Sequence, residues 1–134
     1  MATVLLVDDD AAFRRLVSIT LAGSAQFEVL QAGSGEAALT MARERPVDVA
    51  VVDLMMPGMD GRVLCRELRG LRPDHAPIIV VLTGTDDPAV RKELLASGAT
   101  EFMTKPFRPL KLRDTIAMLL ANPPSKPVAR RTLS

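Results

Sequence analysis

Five side chains able to do chemistry stand at, or just past, the ends of short apolar runs. Asp8 and Asp9 follow "VLLV", with Asp10 behind them. Asp53 closes "VAVVD", Thr83 closes "IIVVLT", and Lys105 follows "EFMT". Three acids, a hydroxyl and an ammonium work together only if the fold gathers them. Like charges a few ångströms apart repel by several kcal/mol at an effective dielectric of about 20. Gathered carboxylates therefore need shared protons, strong solvation or a cation. The donors are all oxygens, with no histidine or cysteine in reach, so the matching ion is hard. Mg2+ or Mn2+ suits a few carboxylates plus water and a phosphate oxygen. Lys105 and the Thr83 hydroxyl can then hold oxygens that the metal leaves free.

Each position also has a plainer explanation. An acid after a strand is commonly a solvated loop residue or a helix cap, and Asp10 is read as a cap. A lone Thr83 would be turn chemistry and a lone Lys105 a surface charge. Asp53 fits a solvated turn less well, because "VAVVDLMMPGMDG" sets it between apolar residues on both sides.

The elements that would position these residues are legible in the hydrophobic pattern. Residues 4–7, 49–52 and 78–82 are short, apolar and rich in β-branched side chains, as expected of strands buried on both faces of a parallel sheet. Residues 27–30 and 101–104 fit weaker strands near the edges. Helical 3-4 spacing runs through Phe13, Leu16, Val17, Thr20 and Leu21, and through Ala37, Ala38, Met41 and Ala42. Further stripes are Gly61, Leu64, Cys65 and Leu68; Val90, Leu94 and Leu95; and Leu112, Ile116, Leu119 and Leu120. Asp10, Ser34, Asp60 and Asp87 sit at expected N-caps, and Gly23, Gly70 and Gly98 at expected helix ends.

This is an α/β pattern: five βα units in a doubly wound parallel sheet with five helices. Ligands of such sheets bind beyond the carboxyl ends of the strands, where the winding reverses. In the flavodoxin-like order 2-1-3-4-5 the first and third strands are neighbours. Asp8, Asp9 and Asp53 then converge, with Thr83 and Lys105 beside them.

The bulk numbers bound the alternatives. The chain has 134 residues, room for one domain with a real core, and 48% of them are hydrophobic and 25% charged, an ordinary globular balance. Lys126, Arg130 and Arg131 lie in the last thirteen residues, leaving 14 bases against 16 acids and a net charge of about −2 on the body. That surface is not one for nucleic acid. No apolar stretch is long enough to span a bilayer. The start lacks a basic region ahead of an apolar segment, and one cysteine, Cys65, cannot form an internal disulfide; both point to the cytoplasm.

The motifs "VLLVDDD", "VVDLMMPGMDG", "VVLTGTDD" and "GATEFMTKPF", in this order and spacing, resemble the receiver domain of bacterial two-component response regulators. The match runs from about Thr3 to Leu120, and the four motifs together are highly specific. The resemblance implies that Asp53 accepts a phosphoryl group from the phosphohistidine of a sensor histidine kinase or phosphotransfer protein. It makes Asp8, Asp9, Asp53 and the Met55 carbonyl ligands of Mg2+. Thr83 becomes the switch hydroxyl, Phe102 the switch aromatic and Lys105 the partner of the phosphate. Lys105-Pro106 matches a peptide bond that is cis in the family. The face of the fourth helix, fifth strand and fifth helix would then change for a downstream protein, an output domain, or a second copy in a homodimer formed on phosphorylation. Such a domain is not an enzyme; it assists its own phosphotransfer and autodephosphorylation.

Two positions that influence phosphate lifetime in the family are Met55 and Thr85 here. Met55 cannot orient an attacking water, so a long-lived aspartyl phosphate is expected. Phe102 stands where some relatives carry tyrosine. A degenerate scaffold would lack an acid or the lysine, and none is missing. A haloacid-dehalogenase-type phosphatase needs an acid two residues after its nucleophile, and Met55 stands there. No phosphate-binding G-x-x-x-x-G-K-[ST] loop occurs, and "GSGE" at residues 33–36 reads as a turn before a helix. His75 reads as a surface residue, Cys65 as a packed thiol, and Met55, Met56 and Met59 as an apolar loop shielding the acceptor. The domain is expected over residues 1–121, with a flexible tail or linker over 122–134. "PVARRTLS" fits a single-domain regulator or a longer, interrupted chain equally.

Overall fold

A computed structural model describes residues 1–23 and 26–123. Five parallel strands, β1 (Ala2–Val7), β2 (Phe27–Ala32), β3 (Val49–Asp53), β4 (Ile78–Thr83) and β5 (Glu101–Thr104), form one sheet in the order β2-β1-β3-β4-β5. The helices are α1 (Ala11–Ala22), α2 (Gly35–Glu44), α3 (Gly61–Leu71), α4 (Pro88–Ala96) and α5 (Pro109–Ala121). This is the doubly wound, flavodoxin-like arrangement that the pattern predicts.

Strand side chains alternate between two cores. Leu5, Val7, Ala50, Val52, Ile79 and Val81 pack with α2, α3 and α4, while Val4, Leu6, Val49, Val51, Val80 and Leu82 pack with α1 and α5. Both faces are dry, which is why the three central strands carry no polar alternation. Asp10, Ser34, Asp60 and Asp87 each cap a helix, accepting from Phe13 N, Ala37 N, Arg62 N and Ala89 N. Each capped start lies at the carboxyl edge of the sheet, so the caps fix where the loops around the acids turn into helix.

Several details depart from the pattern. Gly70 lies inside α3, which runs on to Leu71; the stop comes at Arg72, ahead of Pro73. Gly98 does sit past a helix end, in a left-handed conformation at φ +107°. Leu16 and Leu95, assigned to buried stripes, are 54% exposed each, because α1 and α4 are covered along narrower strips than their spacing allows. Leu39 is buried although it lies off the predicted stripe of α2. α5 ends at Ala121, and of the tail predicted over 122–134, residues 124–134 lie outside the described residues. Among the described residues, no helix is long and apolar enough to cross a membrane.

Candidate functional site

The carboxyl edge of the sheet brings the predicted residues together. Asp8 is the first residue past β1; its amide donates to Ala32 O at 3.1 Å, so β2 fixes where the loop leaves the sheet. Its Oδ1 accepts from Asp10 N at 2.9 Å. Its carbonyl accepts from Arg14 Nη1 at 2.6 Å. Asp53 is the last residue of β3, held in register beside Leu82. Its Oδ1 accepts from Met55 N at 3.0 Å, which folds the β3–α3 loop back onto the carboxylate. Lys105 follows β5 with its amide donating to Thr83 O at 2.8 Å, and the Lys105-Pro106 bond is cis.

Side-chain oxygens of Asp8, Asp9 and Asp53 all lie within 4.8 Å of one another. Asp8 and Asp53 are buried and Asp9 is exposed. Lys105 Nζ stands 3.4 Å from Asp8 Oδ2 and 3.4 Å from Asp53 Oδ2. One ammonium thus faces three acids. The surplus shows on Asp8, whose carboxyl is raised above its usual range, first by burial and then by the charge on Asp53. The Asp10 amide and Lys105 pull it the other way. A cluster of oxygens with excess negative charge and no soft ligand suits a hard divalent cation such as Mg2+ or Mn2+.

Thr83, the end of β4, is 2% exposed. Its hydroxyl donates to Thr85 O at 3.2 Å and accepts from Thr85 N at 3.1 Å, so its own loop holds it. Phe102 is half-buried against the α2–α3–α4 side of the core, with the Arg91 guanidinium 5.3 Å from its ring centroid. A cleft of about 610 Å³ runs between the β3–α3 and β4–α4 loops, lined by Leu54, Met55, Met56, Thr83, Thr85 and Val90 among others. It lies beside the acids and meets the site through Thr83 and Met55. The methionine loop divides: Met56 and Met59 pack onto the core, whereas Met55 is 74% exposed. Cys65 is fully buried, and burial pushes its thiol up to about 11, as expected of a packed thiol. His75 is exposed.

Two residues next to the site escaped the sequence reading. Phe13 looked like one more member of the α1 stripe, yet Lys105 Nζ lies 4.9 Å from its ring centroid. Arg14 carried no assignment at all, yet it reaches back to Asp8 and lies over Gly33, where an added Cβ would stand 3.2 Å from its Nη1. The available signal was position: both fall in the first turn after the acids.

Comparison with known proteins agrees with this geometry. The family model described as the response regulator receiver domain matches residues 4–117. The DNA-binding response regulator MtrA of Mycolicibacterium paratuberculosis is 40% identical over 109 residues, covering 81% of this chain and 47% of that protein. A probable transcriptional regulator, ycf27 of Guillardia theta, is 38% identical over 117 residues, covering 87% and 44%. The chain therefore spans less than half the length of these two relatives. Among solved structures, the chemotaxis response regulator CheY4 of Vibrio cholerae superposes with a TM-score of 0.80 at 36% identity, covering 89% of this chain and 98% of that one. The chain belongs to the response regulator receiver domain family of two-component systems.

Proposed function

We propose that Asp53 accepts a phosphoryl group from the phosphohistidine of a sensor histidine kinase or phosphotransfer protein. One observation carries the reading: Lys105 Nζ stands 3.4 Å from both Asp8 and Asp53, two of the three acids whose oxygens cluster. Asp8, Asp9 and Asp53 would hold Mg2+ or Mn2+, with the Met55 carbonyl as a further ligand by the family resemblance. Held there, such an ion would supply charge neutralisation for the incoming phosphoryl oxygens. The rest falls to the chain. Asp53 attacks phosphorus through a carboxylate oxygen as the bond from phosphorus to the donor nitrogen breaks. Lys105 stabilises the equatorial oxygens in the transition state. The Met55 amide orients the carboxylate through its 3.0 Å hydrogen bond to Oδ1.

Phosphorylation adds roughly 1.5 to 2 negative charges at the end of β3. Thr83 then exchanges its bonds to Thr85 for one to the phosphate, the β4–α4 loop follows, and Phe102 repacks. The α4–β5–α5 face is read by a downstream protein, an output domain or a second copy. The domain acts as a phosphoacceptor rather than an enzyme, contacts no nucleic acid itself, and works in the cytoplasm.

Incubation with acetyl phosphate and Mg2+, followed by intact mass spectrometry, tests this directly. The expected product carries one added PO3H, about 80 Da, on Asp53, and Asp53→Asn carries none. An absent adduct would mark a scaffold, and rapid turnover of many phosphoesters a phosphatase.

A further inference from the structure

We propose that Phe13 is a positioning residue for Lys105, its ring face keeping the ammonium beside the acids while a divalent cation occupies their oxygens. The inference rests on the phosphoacceptor reading of Asp53 and adds a residue to that site. Lys105 has a flexible stem, and its side chain is 34% exposed, so a path to solvent is open. Its only ion pairs among the described residues are those to Asp8 and Asp53. Both acids belong to the oxygen cluster that suits a divalent ion. A dication drawn to those oxygens competes for them and repels the ammonium, so the two ion pairs weaken when the lysine is needed.

The third contact does not depend on the carboxylates. Lys105 Nζ lies 4.9 Å from the centroid of the Phe13 ring, within the range where the ring quadrupole attracts a cation. The ring is itself fixed. Phe13 packs against the α1–α5 side of the core and meets Phe107 edge to face, with centroids 5.8 Å apart and planes at 90°. Phe107 lies two residues beyond Lys105, so the pair of rings ties the first turn of α1 to the segment leaving β5. Lys105 is thereby held from its own side and from across the site.

The test uses the full chain with lysine side chains isotopically labelled, in the presence of Mg2+. Protons over an aromatic face are shielded, so the terminal methylenes of Lys105 should resonate upfield of the other lysines. Phe13→Leu should abolish that shielding and slow phosphorylation by acetyl phosphate about three- to tenfold. Mg2+ affinity should stay within about twofold. Phe13→Tyr, which keeps the ring, should restore both signals, an outcome that general loosening of the core would not give. Shielding that survives Phe13→Leu, or that is lost with no change in rate, would overturn the proposal. Wild-type protein that takes up no phosphoryl group would overturn the reading of Asp53. The shielding comparison would still decide whether Phe13 holds the ammonium.

Discussion

The two edges of the sheet treat aspartate in opposite ways. At the amino edge, Asp48 is matched to its surroundings. Its Oδ2 accepts from Thr3 N at 2.7 Å and its Oδ1 pairs with His75 Nε2 at 3.0 Å. Its amide donates to Thr3 O and its carbonyl accepts from Ile78 N, so one acid joins β1, β3, β4 and the turn that carries His75. At the carboxyl edge, Asp8, Asp9 and Asp53 crowd round a single lysine. The same side chain is matched where its lone pairs find donors and left with surplus charge where acids outnumber them. The local balance of charge and donors distinguishes the two kinds.

Three substitutions would break or sharpen that contrast. The largest effect is expected from Asp8→Asn, which should weaken Mg2+ binding at least about tenfold by calorimetry, since an anionic ligand is lost. The same variant should melt at a higher temperature than wild type in Mg2+-free buffer at pH 7. The sign follows from the carboxyl's raised position. The folded state binds the proton more tightly, so the contribution of Asp8 to stability falls as pH rises from the ordinary carboxylate value of 3.8 through the raised one. The gain from Asn should accordingly vanish in acid below both values, and a gain that persists there would break the account.

At the other edge, Asp48→Ala should lower stability by about 1 kcal/mol, read from a urea midpoint, because Thr3 N loses its acceptor. Phosphorylation and Mg2+ affinity should stay as they were; a loss of either would make the amino edge part of the site. The smallest effect is expected from Met55→Asn. A side chain able to orient water should shorten the lifetime of the phosphorylated form severalfold. Equal hydrolysis rates in variant and wild type would count against Met55 as the determinant.

Much of this was readable from residues alone, for physical reasons that also mark where reading fails. β1, β3 and β4 announce themselves because burial on two faces leaves no polar alternation. Asp10, Ser34, Asp60 and Asp87 announce the helix starts because capping is a local hydrogen bond. The cluster of Asp8, Asp9, Asp53, Thr83 and Lys105 follows once strand order is assumed, since each residue lies at a strand end. Leu16 and Leu95 misled because helical spacing gives the centre of a stripe, while its edges depend on how far the neighbouring layer extends. Phe13 and Arg14 were missed for a related reason: an apolar or basic residue on a helix carries no mark of what it touches, whether Lys105 far along the chain or Asp8 six residues back.

The Thr83 hydroxyl, engaged twice by Thr85, sets the stiffness of the β4–α4 loop. Thr85 is exposed, so water can take over both of its backbone groups the moment the hydroxyl lets go. The fastening is therefore a spring catch, not a bolt. On the phosphoacceptor reading, a charge arriving at the end of the neighbouring β3 would have only to hold it open.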